Sequence, residues 1–198
     1  MKHFTNRLDG VIDRTQSDWY KDAVIYQLHV KAFQDSDGDG IGDFAGLMQR
    51  LDHVQELGAT AIWLLPFYPS PLRDDGYDIA EFKAVNPAYG KLADFRAFVA
   101  EAHRRGLRVI TELVINHTSD QHAWFQQALA DPDGPYGAYY FLLPPDPHDP
   151  ERPPNNWQST FTGSAWRWLP EVQRWVLHVF APGQPDLNWE NPAVRDEV

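Results

Sequence analysis

Three short apolar runs separated by two amphipathic stretches leave this chain few folds to choose from. AVIYQLHV (23–30) is β-branched and aromatic, AIWLLP (61–66) is apolar until Pro66 stops it, and LRVITELVI (107–115) is the third run. Between the first two, Phe44, Leu47, Leu51, Val54 and Leu57 recur at near-helical spacing, and Gly58 is placed to end the helix. Between the second and third, Leu92, Phe95, Phe98, Val99 and Ala102 mark another helix, closed by the basic-then-glycine run HRRG. Strands that are apolar on both faces and joined through helices pair in parallel with right-handed crossovers. The expected class is therefore α/β.

The pattern breaks after about residue 118. PPDPHDPERPP (144–154) can form neither a helix nor a central strand, and the Trp-rich segment beyond it alternates like strands, as in RWVLHVF (174–180). The reading is an α/β part over 1–117, an excursion over 118–183, and a return over 184–198 with a new helix starting near 191. A length of 198 residues suits one substantial core or a domain with an insertion.

A formal charge of -11 argues against nucleic-acid or anionic-membrane partners, both of which select a basic face. No apolar run approaches the roughly 20 residues of a membrane span. The N-terminal stretch MKHFTNRLDGVIDRTQSDWY lacks the apolar segment of a secretory signal, so a cytoplasmic location is expected. The absence of cysteine excludes disulfides and thiolate metal sites. Eight Trp, eight Tyr and eleven Phe fit either a Trp-rich core or a set of aromatic plates for the C–H faces of sugars.

The stretch DSDGDGIGD (35–43) sets four carboxylates at alternate positions, where they repel one another unless something neutralises them. Asp35, Asp37, Asp39 and Asp43, with the Ile41 carbonyl, match positions 1, 3, 5, 9 and 7 of a calcium loop, and Gly40 stands where such loops turn. Position 12 is Gly46 rather than Glu, and a strand precedes the loop. This is no helix–loop–helix; a compact structural Ca²⁺ loop is expected, with a solvated acidic turn as the alternative. Two polar clusters follow the second and third strands, at the ends that carry chemistry in parallel α/β folds: DDGYDI (74–79) and INHTSDQHAWF (115–125). Tyr77 offers a stacking ring, Asp78 can accept from hydroxyls, and Asn116 and His117 face the same rim; Asp-Gly-Tyr also reads as ordinary turn material, and a lone histidine as structural. His122 reads as a surface residue or a local hydrogen-bond partner. No His-Glu-x-x-His, serine triad or phosphate loop is present.

Taken together these motifs resemble the α-amylase family of glycoside hydrolases, family 13. GATAIWLLP (58–66), ELVINH (112–117) and QPDLN (184–188) resemble its second-strand, third-strand and inserted-domain motifs, in the right order, over about Trp19–Val198. QPDLN resembles the oligo-1,6-glucosidase and α-glucosidase branch, which includes trehalose synthases and carries a calcium loop of this kind. The resemblance implies the first three β/α units of a (β/α)8 TIM barrel, with domain B inserted after strand 3. It also implies that Asp78 and His117 hydrogen-bond a glucosyl unit, that Tyr77 stacks beneath it, and that Phe161, Phe180 and Gln184 reach the same pocket. Asn116 contributes to a second calcium site in some amylases, but no partner ligands are evident in this sequence. Glu112 stands where the family usually has Asp, as in trehalose-synthase-like members, whereas PPNNWQSTFTGSAWRW (153–168) resembles α-glucosidases.

By the same resemblance, the nucleophile and the acid/base carboxylates fall beyond Val198. The expected activity is retaining hydrolysis or transglucosylation of short α-glucosides such as maltose, isomaltose and trehalose. The 198-residue chain alone is expected to be inactive. The alternatives are a trehalose synthase isomerising maltose and a non-catalytic, calcium-dependent sugar-binding or scaffold protein.

Overall fold

The computed structural model describes Ile12 and residues 15–198, so the reading of the N-terminal stretch before residue 15 lies, Ile12 apart, outside the described residues. Two compact units emerge: one runs up to Phe67 and resumes over Lys83–Glu112, and the other joins Tyr68–Phe82 to Leu113–Val198.

In the first unit the three apolar runs form strands β1 (Ile25–Leu28), β2 (Ala61–Leu64) and β3 (Arg108–Thr111). The connections between them are helical: α1 (Phe44–Gln49) with α2 (Leu51–Glu56), then α3 (Leu92–Arg104). The sheet is parallel in the order β1-β2-β3, aligning Ile25 with Ala61 and Ala61 with Arg108. The single helix expected over 44–57 is broken at Arg50, whose φ of -112° and ψ of 12° leave the helical basin and cap both halves. Even so, the predicted spacing holds across the break for Phe44, Leu47, Leu51 and Val54, which have no exposed surface, whereas Leu57 at the end of the pair stays 55% exposed. Gly58 ends the pair at φ +79°, a conformation that costs a side chain but not glycine.

Phe44 anchors the core, with Phe67, Phe95 and Phe98 at ring-centroid distances of 5.4, 5.6 and 5.7 Å. Truncating so fully enclosed a ring costs about 3–5 kcal/mol. At the end of α3, Glu101 accepts from Arg104 and from Arg105 Nε at 2.6 Å, which holds its carboxyl down at about 2. The Arg105 guanidinium continues to Asp52 and Gln55 and ties α3 to α2. Burial on both faces holds for β2 only. β1 and β3 are the sheet's edges, and Ile25 stays 43% exposed.

The second unit is built from α4 (Ala123–Ala130), β4 (Leu142–Leu143), β5 (Trp166–Leu169), β6 (Arg174–Leu177) and α5 (Pro192–Glu197). Its strands form an antiparallel sheet in the order β4-β6-β5. Helix α5 starts where the sequence placed it, with Asn191 capping the Ala193 N–H and Pro192 in the first turn. Helix α4 was not foreseen, because the eye reads INHTSDQHAWF as one loop. His122 caps it, Nδ1 accepting from Trp124 N at 3.1 Å, so His122 is a buried local partner and not a surface residue. Phe125 and Ala128 of α4 pack with Tyr139, Tyr140, Leu169 and Val176 into one core. Among the described residues no helix is long and apolar enough to cross a membrane.

Candidate functional site

A cavity of about 530 Å³ opens within the second unit. Its walls are Asp74 and Tyr77 from the first polar cluster, residues 113–117 from the second, and Phe161 with Phe180. Stretches far apart in sequence, 74–77, 113–117 and 161–180, thus meet around one space. Of the six residues named from the sequence, Tyr77, His117, Phe161 and Phe180 line it; Asp78 and Gln184 do not.

His117 is 4% exposed, and its Nε2 lies 3.1 Å from the Tyr77 carbonyl oxygen. A carbonyl only accepts, so Nε2 carries the proton and donates, leaving Nδ1 to accept from Asn116 Nδ2 at 3.4 Å. Burial holds the His117 pKa below the usual histidine value, and the imidazole stays neutral at pH 7. Its ring lies 5.2 Å from Phe180, which in turn meets Phe161 edge-on at 6.3 Å. Phe161 is 60% exposed and forms the rim of this aromatic row.

Asp78 organises the turn instead of facing the cavity. It is 2% exposed and accepts from Ser70 Oγ at 2.6 Å and from the Arg73 N–H at 3.1 Å. Each of its oxygens accepts from the turn, and the carboxylate among the cavity's lining residues is that of Asp74. Gln184 is fully buried; its Oε1 accepts from Ala181 N and its Nε2 donates to Asp74 Oδ2, each at 2.8 Å. It braces the cavity's carboxylate and is not itself a wall. Asp74 was missed because nothing in the Asp74–Asp75 doublet says which member faces inward. The backbone decides: Asp75 sits at φ +54° and Gly76 at +102°, so the turn presents Asp74.

The QPDLN segment closes the back of the site. Asp186 pairs across an antiparallel bridge with His117 and accepts from Asn116 Nδ2 at 3.1 Å and Val179 N at 3.2 Å. Burial pushes its pKa up to about 6, against the pull of those two donors. The Asn116 amide is thereby engaged with Asp186. In the first unit, Glu112 Oε1 accepts from the Trp63 indole at 3.0 Å.

The acidic loop belongs to the first unit. Asp35, Asp37 and Asp39 each offer a carboxylate oxygen, and the three oxygens lie within 4.8 Å of one another. Hydrogen bonds from Gly38 and Gly40 N–H hold the Asp35 pKa below the usual value, so the group is ionised and ready for a hard cation. Gly40 sits at φ +91°, the sharp turn expected at the sixth position. Gly46 could not be the glutamate of an EF-hand: a Cβ there would lie 2.1 Å from the Gln34 carbonyl oxygen. Asp43 stands apart from the trio. Its Oδ1 caps α1 through Gly46 N and its Oδ2 accepts from Ser36 N and Oγ. Ile41 donates its N–H to Asp39 Oδ1 at 2.7 Å. The donor set, all carboxylate oxygen on a tight loop, fits Ca²⁺.

Comparison with known proteins adds three findings. The model of the family described as "Alpha amylase, catalytic domain" matches residues 27–198. The trehalose-6-phosphate hydrolase of Escherichia coli K12 is 52% identical over 180 residues, and the oligo-1,6-glucosidase of Parageobacillus thermoglucosidasius is 45% identical over 180. Each alignment covers 91% of this chain and 32% of the relative, so the chain spans about a third of their length. The crystal structure of Bacillus licheniformis trehalose-6-phosphate hydrolase superposes with a TM-score of 0.85 at 44% identity, over 90% of this chain and 32% of that one.

Proposed function

The chain belongs to the α-amylase family of glycoside hydrolases, and from that premise we propose that its second unit forms the glucose-holding part of an enzyme acting on short α-glucosides. The observation that carries this reading is the convergence of Tyr77, His117, Phe161, Phe180 and Asp74 on one cavity. A glucosyl unit presents C–H faces to the aromatic row and hydroxyls to the Asp74 carboxylate. The volume is that of a small-ligand site, roughly 300–1,000 Å³ in general. The neutral His117, its ring nitrogens engaged by the Tyr77 carbonyl and Asn116, presents its ring to the pocket without bringing in a charge.

Retaining hydrolysis needs two carboxylates about 5–5.5 Å apart. Among the described residues the cavity wall carries one, Asp74. That one carboxylate serves to hold the glycoside. In the protein that supplies both carboxylates, water as acceptor gives hydrolysis and a sugar hydroxyl gives transfer, or isomerisation of maltose to trehalose. Residues 118–183 act as the inserted domain that supplies Phe161 and Phe180. Ca²⁺ held by Asp35, Asp37 and Asp39, with the Ile41 carbonyl, neutralises the acidic loop and fixes the start of α1.

Chromatography of products from maltose, trehalose and isomaltose, using protein that contains this chain and the catalytic pair, tests the reading. Glucose or a rearranged disaccharide is expected; three unchanged substrates would refute it.

A further inference from the structure

A second cavity of about 520 Å³ lies in the same unit and shares no lining residue with the first. One wall is the proline-rich segment 144–154, contributing five prolines with Asp146, His148 and Arg152; the other wall includes Trp175 of β6. The segment that its prolines exclude from helix and central strand is held by local hydrogen bonds. Asp146 and Asp149 pair across a bridge, His148 N donates to Asp146 Oδ1 at 2.8 Å, and Arg152 N donates to the Asp149 carbonyl at 3.1 Å.

The polar groups at this cavity are under-used by the protein. Trp175 is 9% exposed, and its indole Nε1 is buried with no acceptor. A buried unpaired donor costs free energy, and proteins seldom keep one without cause. Arg152 and His148 make no side-chain hydrogen bond or ion pair among the described residues, whereas Arg174, next in sequence to Trp175, is already paired with Asp133.

We propose that this cavity is a second carbohydrate site, taking a neutral mono- or disaccharide unit apart from the glucosyl pocket. The chemistry selects that class. Proline rings and the indole give apolar faces for sugar C–H groups, while two donors (Arg152, His148) and one acceptor (Asp146) suit hydroxyls, which both give and take hydrogen bonds. A phosphate or other anion fits less well, because Asp146 stands in the wall. The five lining prolines are stiff and lose little entropy when a ligand settles between them.

The test follows the Trp175 indole N–H by ¹H–¹⁵N NMR while the full chain is titrated with maltose, and in parallel with inorganic phosphate. The Trp175 resonance is expected to shift and saturate with maltose. Arg152→Ala, at an exposed position, is expected to weaken that midpoint about 10-fold. Phe180→Ala, which damages only the first cavity, is expected to leave it unchanged. No shift of the Trp175 signal at millimolar maltose overturns the proposal. So does a shift that vanishes with Phe180→Ala, one untouched by Arg152→Ala, or a stronger response to phosphate than to maltose. Maltose that saturates the Trp175 signal of the native chain while the Asn116 and His117 signals stay unmoved sinks the glucosyl-pocket reading and leaves this one standing.

Discussion

Gln184 shows how a residue can matter to the site without touching what the site holds. Its amide bridges Ala181 N and Asp74 Oδ2, so removing it frees the carboxylate at the cavity wall to rotate. Gln184→Ala is expected to weaken maltose binding about fivefold and to lower stability by about 1–3 kcal/mol, as read by calorimetric titration and thermal melts. Asp78→Asn is expected to act mainly on stability, because its oxygens serve the turn and not the cavity. At this scale the sequence was informative about residue types and less so about direction. Tyr77, His117, Phe161 and Phe180 were nameable from their motifs, and all four line the cavity. The exchange of Asp78 for Asp74, and of Gln184 from wall to brace, depends on turn dihedrals and long-range hydrogen bonds that local sequence does not encode.

Among the elements, the acidic loop and the start of α1 form one device. Asp43 caps the helix and holds Ser36, while the neighbouring trio gathers three negative charges within 4.8 Å. Asp43→Ala is expected to cost about 1–2 kcal/mol through the lost cap. Added Ca²⁺ is expected to raise the melting temperature of the native chain, and Asp37→Asn with Asp39→Asn to abolish that rise; an unchanged melt with Ca²⁺ would reduce the loop to a solvated turn. Strand and helix positions in the α/β part were legible because the apolar period is strong there: β1, β2, β3 and α3 all fall inside the stretches foreseen. The break at Arg50 and the helix α4 were not. The first leaves the burial period intact, and the second is short and capped by a histidine, an uncommon start signal.

For the molecule as a whole, pH sets two opposed demands. His117, His122 and His178 are each buried, and burial holds each pKa below the usual value near 6.5. The unfolded chain then binds protons that the folded chain refuses, so their contribution is complete above about pH 6.5 and is lost as pH falls below it. Asp186 works the other way: its folded pKa is raised from 3.8 to about 6, so stability is lost as pH rises across that window and levels off above it. The Asp186 effect is on the order of 3 kcal/mol. Asp186→Asn removes it while keeping an oxygen for Asn116 and Val179 to donate to. The variant is expected to gain more stability than the native chain between pH 4.5 and pH 7, measured by denaturant unfolding at both. An identical gain in the two proteins would show that Asp186 ionises freely in the fold.

The central claim is that strand-following loops and the aromatic pair of the inserted segment together hold one glucosyl unit. Titration of the purified chain with maltose, followed by NMR at the Asn116 and His117 signals of the first cavity and set beside Tyr77→Ala and Phe180→Ala, tests it most directly. Saturable binding in the native chain, weakened at least tenfold in both variants and accompanied by no glucose release, is the result predicted. Binding that survives both substitutions, or no binding by a folded native chain, would contradict it.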